Sequence, residues 1–229
     1  MTTHYLTKAV LAPATAGIGA LLAENAGCDA GHRLVWTLFP RSEGEQSERD
    51  FLYREIDNRT YLIVSPQPPA DAHALWQLGP KHYAPKLQAG ERYSFILRAN
   101  PAMAIRTGNA RRSLRVDAVM HARRTSKAAK APWGREHEAD AALAWLTQRE
   151  ETIGVVIDRN ATSASNYRQW EIPHRKYDRP VRFSSVDYEG MLTVSDPDRF
   201  AKALLTGIGK ARAFGCGLML IRRALLRES

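Results

Sequence analysis

One succession of short elements, met twice in 229 residues, limits what this chain can fold into more than any single motif does. The first pass opens with Tyr5–Ala12, a strand-forming run. Helical spacing follows between Gly17 and Pro40, broken at Gly27–Gly31, with Leu34, Val35 and Leu38 on one face of its second piece. Phe51–Ile56 and Thr60–Ser65 are apolar runs on either side of Asp57-Asn58-Arg59, a hairpin signal. Ala70–Leu78, fenced by Pro68-Pro69 and Gly79-Pro80, is expected to be a short helix, and His82–Leu87 a closing strand. The order is β-α-β-β-α-β.

The second pass repeats it. Arg92–Ala99 is a strand, followed by a basic stretch expected to be irregular. His137–Glu151 is helical, with Ala141, Leu143, Ala144 and Trp145 among its apolar positions. Asn166–Pro173 and Val181–Val194 form two strands around a polar turn. Ser195-Asp196-Pro197 supplies a cap and then a proline for a helix through Thr206, and Gly217–Ile221 closes the set. Two such units in tandem make an α+β protein of two ferredoxin-like (βαββαβ) domains, expected at residues 1–89 and 90–229 with a linker near Gln88–Gly90.

Charge separates the two halves. Residues 1–89 hold 8 Lys/Arg and 9 Asp/Glu, whereas residues 90–229 hold 25 and 15, so the net charge of +9 lies wholly in the second half. That asymmetry points to a polyanionic partner gripped mainly by one half. No stretch reaches the roughly 18 apolar residues of a membrane span. Cys28 and Cys216 are too far apart in sequence for a CxxC zinc site, and no metal or other cofactor is expected. A reducing cytoplasm suits so few cysteines.

Between the last helix and last strand lies Gly207-Ile208-Gly209-Lys210-Ala211-Arg212-Ala213-Phe214-Gly215-Cys216-Gly217. Glycines there permit positive φ and close approach of another backbone, and successive N–H groups can form an anion-binding concavity to which Lys210 and Arg212 add charge. The Gly-Lys-Ser/Thr ending of a phosphate-binding P-loop is missing, and a dinucleotide fingerprint would follow a strand rather than precede one, so a nucleotide-dependent enzyme is a distant reading. The pattern Gly-x-Gly-x(5)-Gly-x-Gly resembles the C-terminal glycine loop of the repeat-associated RNA-processing (RAMP) superfamily. Its variant here is similar to the CRISPR-associated CasE (Cse-type) endoribonucleases of type I-E systems, as are His32–Pro40, Phe95–Pro101 and Tyr188–Val194 in the same order. The resemblance implies two ferredoxin-like domains. It also implies cleavage of CRISPR repeat transcript at the base of its stem-loop, retention of the RNA, and assembly with the other subunits of a surveillance complex.

The chemistry that the resemblance implies needs no metal. The RNA's own 2′-hydroxyl attacks the adjacent phosphate, leaving a 2′,3′-cyclic phosphate and a 5′-hydroxyl, while the enzyme moves protons and holds the nucleotides in line. Histidine suits that task, with an unperturbed pKa of about 6.5. Of the seven histidines, His32 occupies the family's catalytic position, as general acid or base. The family carries tyrosine three residues earlier, where this chain has Asp29. Either Asp29 caps the helix that begins here, placing His32 in its first turn, or a neighbouring cation such as Arg33 supplies charge stabilisation. The departure keeps open a second reading: a non-catalytic subunit of the same fold that holds the hairpin.

Two basic clusters are candidates for the RNA footprint. Arg106–Lys130 carries eight cations, among them Arg111, Arg112 and Arg115, against the single acid Asp117. The turn between the two long strands carries His174, Arg175, Lys176, Arg179 and Arg182, matching the family's stem-docking hairpin. A-form RNA hides its base edges in a deep, narrow groove, so such cations meet mainly phosphates. With Gly207, Gly209, Lys210, Arg212, Gly215 and Gly217 they complete the expected RNA-binding set. No aromatic RNP1-like run is present, which argues against base stacking in the manner of an RRM.

Overall fold

A computed structural model describes residues 3–13, 28–39, 50–106, 113–173 and 180–224. The expectations for residues 17–27, for Arg111 and Arg112, and for His174, Arg175, Lys176 and Arg179 lie outside the described residues.

Alternation of apolar and polar residues sets the first sheet. In β1 (Tyr5–Leu11), Thr7, Ala9 and Leu11 are buried while Lys8 is exposed. The helix α1 (Cys28–Trp36) buries Leu34 and Val35 against the rings of Tyr53, Tyr61 and Trp76. β2 (Leu52–Glu55), β3 (Thr60–Ser65) and β4 (Trp76–His82) complete a sheet ordered β2-β3-β1-β4, with both β1 pairings antiparallel. Strand 1 therefore lies between strands 3 and 4, as in a ferredoxin-like unit.

The expected helix over Ala70–Leu78 is not formed. Asp71 turns its carboxylate onto the N–H groups of His73, Leu75 and Trp76, closing a side-chain-capped turn. Trp76 then enters the sheet opposite Leu11, and its indole N–H donates to Thr37 Oγ1 at 3.1 Å. β4 consequently starts and ends earlier than the expected strand over His82–Leu87. Three N–H groups satisfied by one local carboxylate outcompete a first helical turn that follows two prolines.

The second half keeps the same topology with additions. β5 (Arg92–Ala99) buries Tyr93, Phe95, Leu97 and Ala99 on one face. A short hairpin, β6 (Ala102–Ile105) with β7 (Leu114–Asp117), leads into α2 (Ala118–Ala128). The basic stretch expected to be irregular is thus partly strand and partly helix. Asp117, its single acid, caps the helix by accepting from Met120 N at 2.7 Å. The helices α3 (Arg135–Thr147) and α4 (Glu150–Ile153) precede β8 (Val155–Ile172) and β9 (Val181–Val194). β8 begins eleven residues before the expected Asn166, because its first half is polar and bulged between Asp158 and Ser163 and hides the alternation. Gly190 in β9 makes room for that bulge, since a Cβ there would lie 2.6 Å from Thr162 Cα. α5 (Pro197–Thr206), capped by Asp196, and β10 (Met219–Arg223) finish the sheet β10-β5-β9-β8.

Two further features join the halves. Leu52 and Val64 of the first sheet pack with Leu218, each fully buried, a contribution of about 1.5–3 kcal/mol per side chain. Beside them Asp187 of β9 receives Arg98 at 2.8 and 3.0 Å from its own sheet and Arg54 at 3.6 Å from the other. Burial opposes charge on Asp187, but the hydrogen bond and charge of Arg98 and the charge of Arg54 outweigh it and hold the carboxyl below its ordinary value. Arg98 is the held cation, raised above its ordinary value chiefly by that bond. Arg54 is lowered by burial, more than Asp187 raises it, and so is the incompletely compensated member.

Candidate active site at the junction of the two sheets

His32 stands on α1 on the edge of the buried stripe, half-buried, with Arg33 exposed beside it. The helix rests on two tyrosines: a Cβ on Gly31 would meet Tyr61 at 3.4 Å and Tyr53 at 3.6 Å. One turn on, the Trp36 indole N–H donates to His32 Nε2 at 2.9 Å, and the two rings meet edge to face, 5.8 Å apart. With Nε2 accepting, the neutral imidazole carries its hydrogen on Nδ1. His32 is the fifth residue of α1 as described, and the expected cap at Asp29 rests on a side chain that lies outside the described residues.

The glycine segment arrives from the other half of the chain. Gly207, Gly209, Gly215 and Gly217 all have positive φ, from +74° to +95°. Gly207 terminates α5, and a Cβ there would lie 2.7 Å from Leu52 Cδ2, so only glycine lets the loop reach the first sheet. A Cβ on Gly215 would stand 3.3 Å from the Tyr53 ring, and the Tyr53 hydroxyl donates to the Ala213 carbonyl at 3.0 Å. That bond, 160 residues apart in sequence, carries Phe214 to within 6.1 Å of the His32 ring. Phe214 stacks on Phe183 of β9 at 4.7 Å, and Phe183 stacks in turn near Trp170 of β8 at 6.3 Å. A line of rings therefore runs from His32 to the long β8–β9 hairpin.

The expected RNA-binding residues separate on inspection. Arg212 turns inward, its guanidinium donating to the carbonyls of Gly209 at 3.3 Å and Gly207 at 3.1 Å, so it fastens the loop. Lys210 is exposed, with its backbone bridged to Asn100. Arg182 is exposed and paired with Glu171 across the hairpin at 3.0 Å. Arg115 is exposed on β7 and lines the same cavity as Arg182 and Phe183. The loop N–H groups of Gly207, Ile208, Phe214 and Gly217 are taken by protein carbonyls, which narrows the expected anion-binding concavity to the remainder. Tyr53, Phe183 and Trp170 carry no local signal in the sequence. Trp36 and Phe214 stood there only as letters of a motif. Among the described residues, no group of three or more His, Cys, Asp or Glu side chains converges on a metal-sized site, and no helix is long and apolar enough to cross a membrane.

Fold and site together define a tandem ferredoxin-like protein of the repeat-associated superfamily. Residues 4–223 match the family described as CRISPR associated protein, and the chain belongs to that family, among its CasE (Cse-type) members. It is 27% identical over 202 residues to the CRISPR system Cascade subunit CasE of Escherichia coli, covering 82% of this chain and 88% of that one. It is 27% identical over 150 residues to the CRISPR-associated endoribonuclease Cse3 of Thermus thermophilus, covering 62% and 61%. Among solved structures, Cse3 bound to a 19-nucleotide RNA superposes with a TM-score of 0.69 at 26% identity, over 97% of this chain and 99% of that one. Thermus thermophilus Cse3 bound to an RNA representing a pre-cleavage complex gives 0.67 at 25%, over 96% and 99%.

Proposed function

We propose that this chain is the endoribonuclease that cuts CRISPR repeat transcript at the base of its stem-loop, keeps the product, and joins the other subunits of a type I-E surveillance complex in the cytoplasm. His32 carries the proton chemistry. Its place beside the glycine loop supports that role, half-buried and walled by Phe214. Nε2 accepts from Trp36 and Nδ1 is buried, so proton transfer requires bound RNA to displace one of these contacts. The 2′-hydroxyl attacks the neighbouring phosphate, and no metal takes part. His32 exchanges a proton with the attacking or leaving oxygen, while Arg33 is the nearest cation in sequence to offset the charge that builds on phosphorus. The division of labour follows residues 1–89, which bring the histidine, and 90–229, which grip the stem through Arg111, Arg112, Arg115, Arg175, Lys176, Arg179, Arg182 and Lys210, with Gly207, Gly209, Gly215 and Gly217 shaping the approach.

The test is cleavage of cognate repeat RNA in EDTA. The wild type yields one cut with a 2′,3′-cyclic phosphate end. His32→Ala slows it by about 10²–10⁴-fold and changes hairpin affinity only a few-fold. Cutting only with added divalent ions would end the metal-free mechanism. Tight binding without any cut would instead favour the hairpin-holding subunit, the reading that Asp29 in place of the family tyrosine keeps open.

A further inference from the structure

Beside Phe183, and lined by neither His32 nor Phe214, the structure contains a cavity of about 660 Å³ that the cleavage chemistry does not use. Its wall includes the half-buried rings of Trp170 and Phe183, and the Trp170 indole N–H is fixed by Ser185 Oγ at 2.9 Å, which sets the plane of the ring. Arg115 and Arg124 stand at the same cavity, both exposed and neither in an ion pair or hydrogen bond among the described residues. Its other polar groups are mostly committed. Asp117 caps α2 and accepts from Ser184 Oγ, Asn100 donates to the Ser184 carbonyl, Gln169 donates to Tyr167, and Arg182 is paired with Glu171. What remains open is aromatic surface flanked by two uncompensated guanidinium groups.

That combination fits one chemical class. A nucleotide offers a flat ring to stack and a phosphate for arginine, and single-stranded RNA is held by this pairing of stacking and charge. We propose that this cavity takes one unpaired nucleotide flanking the stem, its base on Trp170 and Phe183 and its phosphate on Arg115 and Arg124. The proposal rests on the hairpin reading above and adds a second point of grip to it. Because the polar groups along the wall other than Arg115 and Arg124 are mostly committed, the cavity selects for an unpaired base rather than for a particular one. Its position matters for cutting. Phe183 is shared with the stack that reaches His32 through ring spacings of 4.7 and 6.1 Å, so a base seated there braces the strand close to the histidine.

The experiment compares two RNAs, the bare stem and the stem with its unpaired flanks, against the full chain. The wild type binds the flanked RNA about tenfold tighter than the bare stem, within the range of one base stacked on an aromatic ring. Trp170→Ala erases that difference and leaves the bare-stem affinity unchanged, while Trp170→Phe restores most of it. Arg124→Gln lowers the salt slope for the flanked RNA only. 2-Aminopurine placed in turn at each unpaired position is quenched at one of them, and Trp170→Ala relieves the quench. Equal weakening of both RNAs by Trp170→Ala, or a flank that adds nothing to wild-type affinity, overturns the proposal. Free mononucleotide bound as tightly as the flanked RNA overturns it too, since the site would then serve a soluble ligand. Failure of the wild type to bind either RNA is a different result, and removes the hairpin reading itself.

Discussion

Replacing Asp187 by asparagine tests whether the two halves are clamped through one carboxylate. The side chain is 17% exposed, Arg98 34% and Arg54 12%, so the cluster is mostly but not wholly shielded from water. Removing one member of a fully buried ionic group costs about 3–5 kcal/mol, because the charges left behind have no partner. The remaining exposure lowers that figure, and we expect a loss of about 2–3 kcal/mol at pH 7, read by urea unfolding. The pH dependence carries a sign. Asp187 has a folded value below its ordinary 3.8, so its stabilisation is present above the unfolded value and is lost as pH falls through the folded one. The stability difference between pH 7 and pH 3 should therefore be larger in the wild type than in Asp187→Asn. Other carboxylates contribute to both proteins and cancel in the comparison. A double-mutant cycle with Arg54→Ala isolates the contact between the sheets, with an expected coupling of about 1 kcal/mol. A loss under about 0.5 kcal/mol at pH 7, or the same acid sensitivity in both proteins, would refute the clamp.

Three further outcomes are expected. Trp36→Phe removes the N–H that orients His32, and single-turnover cleavage should fall about tenfold with hairpin affinity unchanged; a matched loss of affinity would mean that the indole only supports the helix. Gly207→Ala forces a side chain onto a φ of +80° and against Leu52, which should cost about 1–3 kcal/mol and lower Tm by about 2–4 °C for each of them. Neutralising Arg175, Lys176 and Arg179 together should weaken RNA binding and reduce its dependence on salt, and an unchanged salt slope would take that turn out of the footprint.

Where the hydrophobic period was clean, the elements could be read from residues alone. Arg92–Ala99 and Val181–Val194 form strands with the expected ends, and Asp196 caps the last helix as its position before proline implied. Legibility failed where a side chain took over backbone bonding. Asp71 cancelled a helix, and Asp117 started one inside a run that composition had marked as irregular. Neither choice shows in apolar spacing. His32 was singled out through the resemblance, but its surroundings were not, because Tyr53, Phe214, Phe183 and Trp170 come from distant segments whose approach is set by tertiary packing. Arg212 illustrates the limit of counting cations. Its charge contributes to the basic half, yet its guanidinium is turned onto the loop it belongs to.

The bond from Tyr53 to Ala213 also orders events in time. Tyr53 is made 160 residues before the carbonyl it binds, and the helix with His32 is made earlier still. A chain that has not yet reached Ala213 and Phe214 therefore carries the histidine without the ring beside it. A product truncated ahead of Ala213 would lack both the bond and the ring, and would present the imidazole on a helix with no partner from the second half.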